Sequence, residues 1–119
     1  MVNTATYEFN AYINPDENLL IFSSFGRKDG LGGGDLYFSK KDKNGDWMAA
    51  KNMGTPINSE KLDFCPFIDY SNGNFYFTSE RAKDFDQKIN SIKEFEDISN
   101  DVLNGMGNIF RIKTENLFE

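Results

Sequence analysis

The stretch Asn14-Pro15-Asp16-Glu17-Asn18-Leu19-Leu20-Ile21-Phe22-Ser23-Ser24 is a turn that leads into an apolar strand. Its surroundings recur later in the chain at one constant offset in sequence number, since Phe22 recurs as Phe77 and Ser24 as Ser79. We call this the repeat offset. Repeats of this length mark arrays of one supersecondary unit that cannot bury its apolar face without a neighbour. The sequence therefore predicts two copies of one unit. Other pairs at the repeat offset are Val2/Ile57, Asn3/Asn58, Thr4/Ser59, Glu8/Asp63, Phe9/Phe64, Tyr12/Phe67, Ile13/Ile68, Leu20/Phe75, Ile21/Tyr76 and Ser23/Thr78.

Each copy is predicted to be a small antiparallel sheet. In the first copy, Tyr7 to Ile13 alternates apolar and polar residues, which is typical of a half-buried strand. Leu19 to Ser24 is apolar on both faces, as expected of a strand between two packed layers. The Asn44-Gly45 pair accepts positive φ at low cost and indicates a hairpin turn. The strands expected in the first copy are residues 7–13, 19–24, 35–40 and 47–51, and those in the second are near 62–68, 74–80 and 108–113.

The second copy carries an insertion. Gly107 is the counterpart of Gly34, but it follows Gly34 at more than the repeat offset, so additional residues lie within the second copy. Apolar residues in the insertion fall on one half of a helical wheel, and Gly105 stands where a helix would end. We expect a helix, whole or broken, over about Asp86 to Asn104, packed on the rim through that apolar side. The apolar residues are Ile89, Ile92, Phe95, Val102 and Leu103.

Short turn and strand motifs occur in a fixed order in the first copy: Asn14-Pro15-Asp16 before the strand, Gly33 to Ser39, Asn44 to Trp47 and Asn52 to Ser59. The same series begins again in the second copy, at Phe64 to Ile68 and Tyr76 to Arg81. In this order the motifs resemble the TolB-type, WD-like β-propeller repeat. The second copy departs from the pattern, because Asp69-Tyr70-Ser71-Asn72-Gly73 stands in place of the Pro-Asp turn.

This resemblance implies an all-β fold of about two antiparallel four-stranded propeller blades, with one helical insertion in the second. Blade one would cover about residues 7–51 and blade two about residues 62–119, with the insertion at about 83–106, in a single domain, 1–119. The resemblance also implies a non-catalytic scaffold or binding module that presents its loops to a protein or glycan. Two blades leave open faces, so we expect self-association through them or pairing of Val2 to Thr6 with the second blade.

Composition and charge exclude several classes of partner. The chain has 13 Lys and Arg against 19 Asp and Glu and no clustered basic face, so the phosphate attraction that drives nucleic-acid binding is missing. No apolar run approaches the length of a bilayer span, so membrane insertion is not expected. Residues 1–7 have neither a basic start nor an apolar core and are not a signal peptide. Because the chain opens inside a repeat, we expect it to be part of a longer protein, with the cytoplasm and the cell envelope both open as compartments.

The chain has one cysteine and no histidine. Cys65 lies in the aromatic run from Phe64 to Phe67. We interpret it as a small buried hydrophobe rather than a nucleophile, since a reactive thiolate needs a nearby base or cation. The lack of histidine removes Ser-His and Cys-His catalysis and argues against a zinc site. We therefore predict no catalytic residue and no cofactor.

The glycine-rich segment Gly30-Leu31-Gly32-Gly33-Gly34-Asp35 has four interpretations. A phosphate-binding loop would need a helix after it and usually a Lys-Ser/Thr ending, whereas strands are predicted on both sides here. Calcium-binding Gly-Asp repeats occur as tandem nonapeptides, and this is a single copy. We favour a tight loop between strands. The alternative is a surface metal held by the Asp29 and Asp35 carboxylates.

Asp42 to Trp47 is distantly similar to the Asp-box turn of sialidase-type propellers. That similarity implies an alternative function, a fragment of a glycoside-hydrolase-like enzyme. Sialidase chemistry would need several arginines around a carboxylate, and this chain has Arg27, Arg81 and Arg111. Hydrolysis by paired carboxylates needs two acids at a defined separation, and the spacing selects no pair among the 19 acids. We expect no enzymatic activity.

One acid and one arginine recur with the unit. Glu8 and Asp63 begin equivalent strands, and Arg27 and Arg81 follow equivalent strands. We expect each acid to pair with an arginine within or between the sheets, in preference to contact with a ligand. When partly buried, such pairs set the register of a structure more than they stabilise it.

Overall fold

The structure is a computed structural model that describes residues 2–84 and 88–119. The described residues form two antiparallel sheets and one short helix, so the all-β expectation is confirmed at this level. The strands of the first sheet, in spatial order, are β1 (Tyr7–Ile13), β2 (Leu19–Phe25), β3 (Asp35–Lys40) and β4 (Lys51–Asn52). The second sheet contains β5 (Asp63–Asp69), β6 (Asn74–Ser79) and β7 (Asn108–Lys113), and the helix α1 (Ile92–Ser99) lies between β6 and β7 in the chain.

The two sheets share the same backbone irregularity. The pairing of β1 with β2 shifts register within residues 9–12, and the pairing of β5 with β6 shifts within residues 64–67, which is the same place one repeat offset later. One residue in each shift has a left-handed backbone, with φ of 50° at Asn10 and 51° at Cys65. A bulge of this kind adds a residue to one strand and bends it. The repeat in the sequence is therefore a repeat of the fold, irregularity included.

The bulges change two side-chain assignments. Strict alternation would place Ile13 on the same side of β1 as Phe9. After the bulge it is Tyr12 that packs against the core, while Ile13 is half exposed. At the equivalent bulge in the second sheet, Cys65 is exposed. The interpretation of Cys65 as a buried hydrophobe, which rested on the aromatic residues around it, is therefore wrong, because Cys65 is the extra residue of the bulge and its side chain is exposed.

The core lies between the two sheets. Residues directly opposite each other in an antiparallel pair point to the same face, so Ile21 and Phe38 lie on one side of the first sheet. That side meets the second sheet, where Phe75 and Phe77 are buried. Removal of this apolar area from water is the main favourable contribution to folding. The buried cluster consists of Leu19, Ile21, Leu36, Phe38, Ile57, Ile68, Phe75 and Phe77.

The last residues of the chain pack onto this core instead of forming a strand. The Phe118 ring lies 5.5 Å from the ring of Phe38 and 6.0 Å from that of Phe75, edge-on to both. Such edge-to-face pairs are a favoured aromatic geometry. Residues 115–118 form a turn, so in the described part of the chain the second sheet has the three strands placed from the sequence and lacks the fourth strand that the propeller resemblance implied. Phe118 thus bridges the two sheets.

The outer edge of the first sheet is also shorter than predicted. β4 is Lys51–Asn52 instead of residues 47–51, and Trp47 makes an isolated bridge to Lys41. The hairpin turn before it forms as expected, because Asp42 Oδ1 accepts hydrogen bonds from the backbone N–H groups of Asn44 and Asp46.

The N-terminal segment binds the first sheet. Arg27 donates a hydrogen bond to Val2 O at 2.9 Å, and the hydroxyl oxygens of Thr6 and Ser24 lie 3.2 Å apart. The prediction that Val2 to Thr6 pairs with the second sheet is therefore wrong. The physical reason is that this segment is the earlier copy of residues 57–61, and each copy packs against the sheet that follows it.

The described part of the insertion contains one helix, α1, and the predicted start at Asp86 lies outside the described residues. Ser91 begins the helix, since its Oγ accepts from Glu94 N, as an N-cap serine does. The Glu94 carboxylate accepts from the backbone N–H of Asn90, the residue before the cap. Asn100 ends the helix, and Gly105 is not its terminus.

The helix does not pack on the rim as expected. No residue of α1 is buried, and within residues 2–84 and 88–119 it contacts no strand. Neither α1 nor any other helix in those ranges has the length and hydrophobicity needed to cross a membrane.

The repeat predicts equal energetic roles for Phe22 and Phe77. They occupy equivalent positions on β2 and β6, and each is 2% exposed. We expect Phe22→Ala or Phe77→Ala to lower the free energy of unfolding by about 3–5 kcal/mol, because each leaves a cavity in packed surroundings. Urea denaturation measures this change. Phe67→Ala is the control and should cost clearly less, since Phe67 is half exposed; equal losses for all three variants would contradict the assignment.

Candidate functional site

In the first sheet, one arginine is held by an acid, a serine and two aromatic rings. Arg27 Nη2 donates to Glu8 Oε1 at 3.0 Å, and Arg27 Nε donates to Ser24 Oγ at 2.9 Å. The guanidinium carbon lies 5.1 Å from the centre of the Phe22 ring and 4.6 Å from that of Tyr37. At these distances cation–π attraction adds to the ion pair.

The second sheet contains the same cluster. Arg81 Nη2 lies 3.2 Å from Asp63 Oδ1, and Arg81 Nε donates to Ser79 Oγ at 2.8 Å. The guanidinium carbon is 5.4 Å from the Phe77 ring centre and 4.8 Å from that of Phe110. The sequence left pairing within or between the sheets open, and the structure shows pairing within each sheet, Glu8 with Arg27 and Asp63 with Arg81.

The segment that precedes each sheet completes its cluster. Thr4 Oγ1 donates to Glu8 Oε1 at 2.7 Å, and Ser59 Oγ donates to Asp63 Oδ2 at 2.9 Å. The arginines donate to the backbone carbonyls of Val2 and Ile57, which are also counterparts at the repeat offset. The acids and arginines therefore fasten the preceding segment to its sheet, and a ligand could reach them only by displacing it.

The environment of Glu8 lowers its pKa. Burial raises the pKa, but hydrogen bonds from Thr4, Thr6 and Arg27 to the charged form outweigh burial. A carboxylate with a depressed folded-state pKa stabilises the protein above its unfolded pKa, here about 4.5, and loses that contribution as the pH falls.

We therefore expect Glu8→Gln to lower the free energy of unfolding at neutral pH. The difference in unfolding free energy between this variant and the unmodified protein should become smaller as the pH falls below about 4.5. Chemical denaturation at a series of pH values measures the difference. Glu115→Gln, at an exposed acid in the C-terminal turn, is the matched control. A Glu8→Gln difference that stays constant across this range would contradict the role of the carboxylate.

The glycine-rich segment is a site of close approach between chain segments. A Cβ atom on Gly32 would lie 2.1 Å from the carbonyl oxygen of Glu60, and one on Gly34 would lie 2.6 Å from a methyl carbon of Leu62. Asp63 N also donates to Gly34 O at 2.8 Å. Glycine is needed here because the connection to the second sheet passes directly over the loop. This geometry fits the tight loop and leaves no space for a phosphate at these glycines.

The two aspartates proposed as metal ligands are occupied by protein donors. Asp29 Oδ1 accepts from Tyr37 Oη at 3.0 Å. Asp35 Oδ2 accepts from Leu31 N at 2.7 Å and from Asn52 Nδ2 at 2.8 Å, while Asp35 Oδ1 is buried and finds no hydrogen-bond partner in the described ranges. Among residues 2–84 and 88–119, no group of three or more acidic or cysteine side chains is placed to hold a metal ion.

Burial raises the pKa of Tyr37 to about 12, and the hydrogen bond to Asp29 acts in the same direction. The neutral phenol stabilises the fold below the unfolded pKa of about 10, and this contribution is lost as the pH rises through about 12. Burial also raises the pKa of Tyr12, so the measurement is made in a Tyr12→Phe background. In that background we expect tyrosinate absorbance to show a late titration that Tyr37→Phe removes. Tyr7→Phe, at an exposed tyrosine, should leave that late step in place. A Tyr37→Phe variant that keeps it would contradict the assignment.

A groove of about 490 Å³ lies at the opposite end of the strands from the arginine clusters. Tyr70, which is 56% exposed, and Phe118 supply aromatic surface, while Lys40 and Lys41 supply positive charge. Asn14 lies in the groove wall, but its side chain is used to close the β1–β2 turn through Leu19 N. The groove is formed by both sheets, and none of its residues was predicted as a site.

The remaining sequence candidates are separate from one another. Asp42 closes a hairpin, where the backbone N–H groups of Asp46 and Asn44 hold the pKa of its carboxyl below the ordinary value. Arg111 is exposed on β7 and shares no cluster with Arg27 or Arg81. The three arginines are therefore not gathered around one carboxylate-binding position.

The most exposed apolar feature is helix α1. Ile92 is 79% exposed and Phe95 is 57% exposed, and both lie on one side of the helix. The sequence predicted an apolar side, but not that it would face solvent. Ser91 and Glu94 carry the Ser-x-x-Glu pattern that would have located the start of the helix.

Comparison of the chain with protein-family models, with curated proteins and with solved structures found no match.

Proposed function

We propose that this chain is a non-catalytic segment of a TolB-like β-propeller, in which the two sheets are blades and helix α1 binds a protein partner. The repeated acid–arginine–aromatic cluster supports the assignment to blades, because it fixes the same connection to the same strand positions in both sheets. The up-and-down strand order of the first sheet also fits a blade.

The observation that carries the binding role is the solvent-facing apolar side of α1. A short isolated helix is marginally stable in water, and apolar residues on it gain nothing from exposure. Ile92 and Phe95 nevertheless remain outside the core, and no strand in the described ranges covers them. Amphipathic helices of this kind bind by laying their apolar side into a groove on another protein.

The charges on α1 define the partner further. Glu94, Glu96 and Asp97 occupy the helix, and Lys93 is paired with Asp97 at 2.7 Å. The polar side is therefore acidic. The partner should present an apolar groove with basic residues at its edge.

The test is affinity capture with the immobilised chain, followed by calorimetry on the recovered protein. We expect Ile92→Ser combined with Phe95→Ser to abolish binding and to leave the unfolding transition unchanged, because neither side chain is buried. Lys93→Ser, which leaves the acidic residues of the helix in place, is the control on the polar side and should retain binding. Equal binding by the double variant and by Lys93→Ser would overturn the role of the helix.

A glycan is the second candidate ligand, and the groove between the sheets favours it. Exposed aromatic rings with nearby amide and ammonium groups are suited to sugars, and Tyr70, Lys40 and Lys41 provide them. An oligosaccharide array separates the two candidates. Binding of a sugar that Tyr70→Ala abolishes, and that Ile92→Ser with Phe95→Ser leaves unchanged, would assign glycan binding to the groove.

A sialidase-type enzyme fragment receives less support. Such chemistry needs arginines free to hold a carboxylate, and Arg27 and Arg81 are both engaged by an acid, a serine and two rings.

A further inference from the structure

The two sheets are joined by a compact set of contacts, the Asn58 junction, made by Asn58, Leu62 and Asp63 on one side and by Gly34 and Leu36 on the other. Asn58 Oδ1 accepts from Leu36 N at 2.8 Å, and Asn58 Nδ2 donates to Leu36 O at 2.9 Å. Asp63 N donates to Gly34 O, and Gly34 forms a parallel bridge with Leu62. An asparagine side chain thus occupies the place of a neighbouring strand at Leu36.

The donor half of this junction recurs at the start of the chain. Asn3 and Tyr7 are the counterparts of Asn58 and Leu62, one repeat offset earlier. Asn58 is buried and Leu62 half-buried, whereas Asn3 is exposed and Tyr7 is 69% exposed. The first sheet therefore carries the same donor group without a second sheet beneath it.

The acceptor half recurs on β7. Gly107 and Ile109 are the counterparts of Gly34 and Leu36 once the insertion is allowed for, and Gly107 keeps the glycine that the close approach requires. Leu36 is fully buried, but Ile109 is 77% exposed. On the outer side of β7, no backbone partner for Ile109 occurs within the described ranges.

We propose that two copies of this chain associate head to tail, with Asn3 of one copy bonded to the backbone of Ile109 in the next. The internal junction is the template for this contact. Asn3 is the same residue type as its counterpart Asn58, and Ile109 occupies the strand position of its counterpart Leu36. Because donor and acceptor lie on different sheets, the contact is heterologous and adds copies in one direction, either to a closed ring or to an open chain.

The open faces beside the two halves also suit each other. The first sheet exposes Ile13, whose equivalent Ile68 is buried in the internal interface. The second sheet exposes Phe67, which lies on the same face as Ile109 but two strands away. However, Arg111 stands where the internal interface has Phe38, so the contact between copies is more polar than the one within a copy. We therefore expect reversible and concentration-dependent association.

Light scattering on a size-exclusion column, run over a range of concentrations, measures the association. We expect the mass to rise with concentration, and Asn3→Ala to weaken association about tenfold through loss of its hydrogen bonds. Asn90→Ala, in the insertion, is the matched control and should associate like the unmodified protein. A single monomeric mass at all concentrations would overturn the proposal, and so would equal association by Asn3→Ala.

Cross-linking then tests the direction of the contact. In a Cys65→Ser background, Ala5→Cys and Ile109→Cys are prepared as separate proteins and treated with a short bismaleimide. Ala5 is exposed and near Asn3, so the Asn3 amide is kept. Head-to-tail contact predicts dimers only when the two variants are mixed. Dimers formed by Ile109→Cys alone would show a symmetric contact between β7 edges and would overturn the proposal. The proposed function rests on the same repeat, but helix α1 takes no part in the junction, so either assay can fail without the other.

Discussion

The amide of Asn58 is the contact on which the arrangement of the two sheets depends. It bonds both the N–H and the C=O group of Leu36, a residue with no exposed surface. β4 pairs with Tyr37 and Phe38, and Met53, the next residue, donates its N–H to Leu36 O, but the Leu36 N–H is bonded by the Asn58 amide. Without the amide, the Leu36 N–H would be buried with no partner, at a cost of about 1–3 kcal/mol. The same bonds hold the connection against the glycine loop, and that contact places the second sheet over the first.

The charged residues that recur in the sequence serve this same connection. Each arginine lies over two neighbouring rings of its own sheet and reaches an acid, a serine hydroxyl and a carbonyl of the incoming segment. Burial of a charge is tolerated only when such partners surround it. Because these groups hold the fold together, the binding that we propose uses other surfaces, namely helix α1 and the groove.

Sequence reasoning located the sheets well and the candidate surfaces poorly. The repeat offset placed β1, β2, β5 and β6, and the longer interval from Gly34 to Gly107 placed β7, because strand positions follow local apolar patterns that need no knowledge of distant contacts. The groove could not be found in this way, since Lys40, Tyr70 and Phe118 come together only when the sheets pack. The exposure of Cys65 was also missed, because an alternating pattern does not reveal an inserted bulge residue.

The sequence by itself determined the repeat, the strands, the pairing of each acid with its arginine and the glycine loop, all of which are encoded by residue type at a fixed spacing. Tertiary structure alone decided what each of these segments touches. It made Asn58 a substitute for a strand, turned Ile13 outward while its equivalent Ile68 was buried, and left α1 without a neighbouring strand in the described ranges. The physical reason is that equivalent residues in two copies have the same local propensity, but burial depends on what lies opposite, and only one face of each sheet has the other sheet against it.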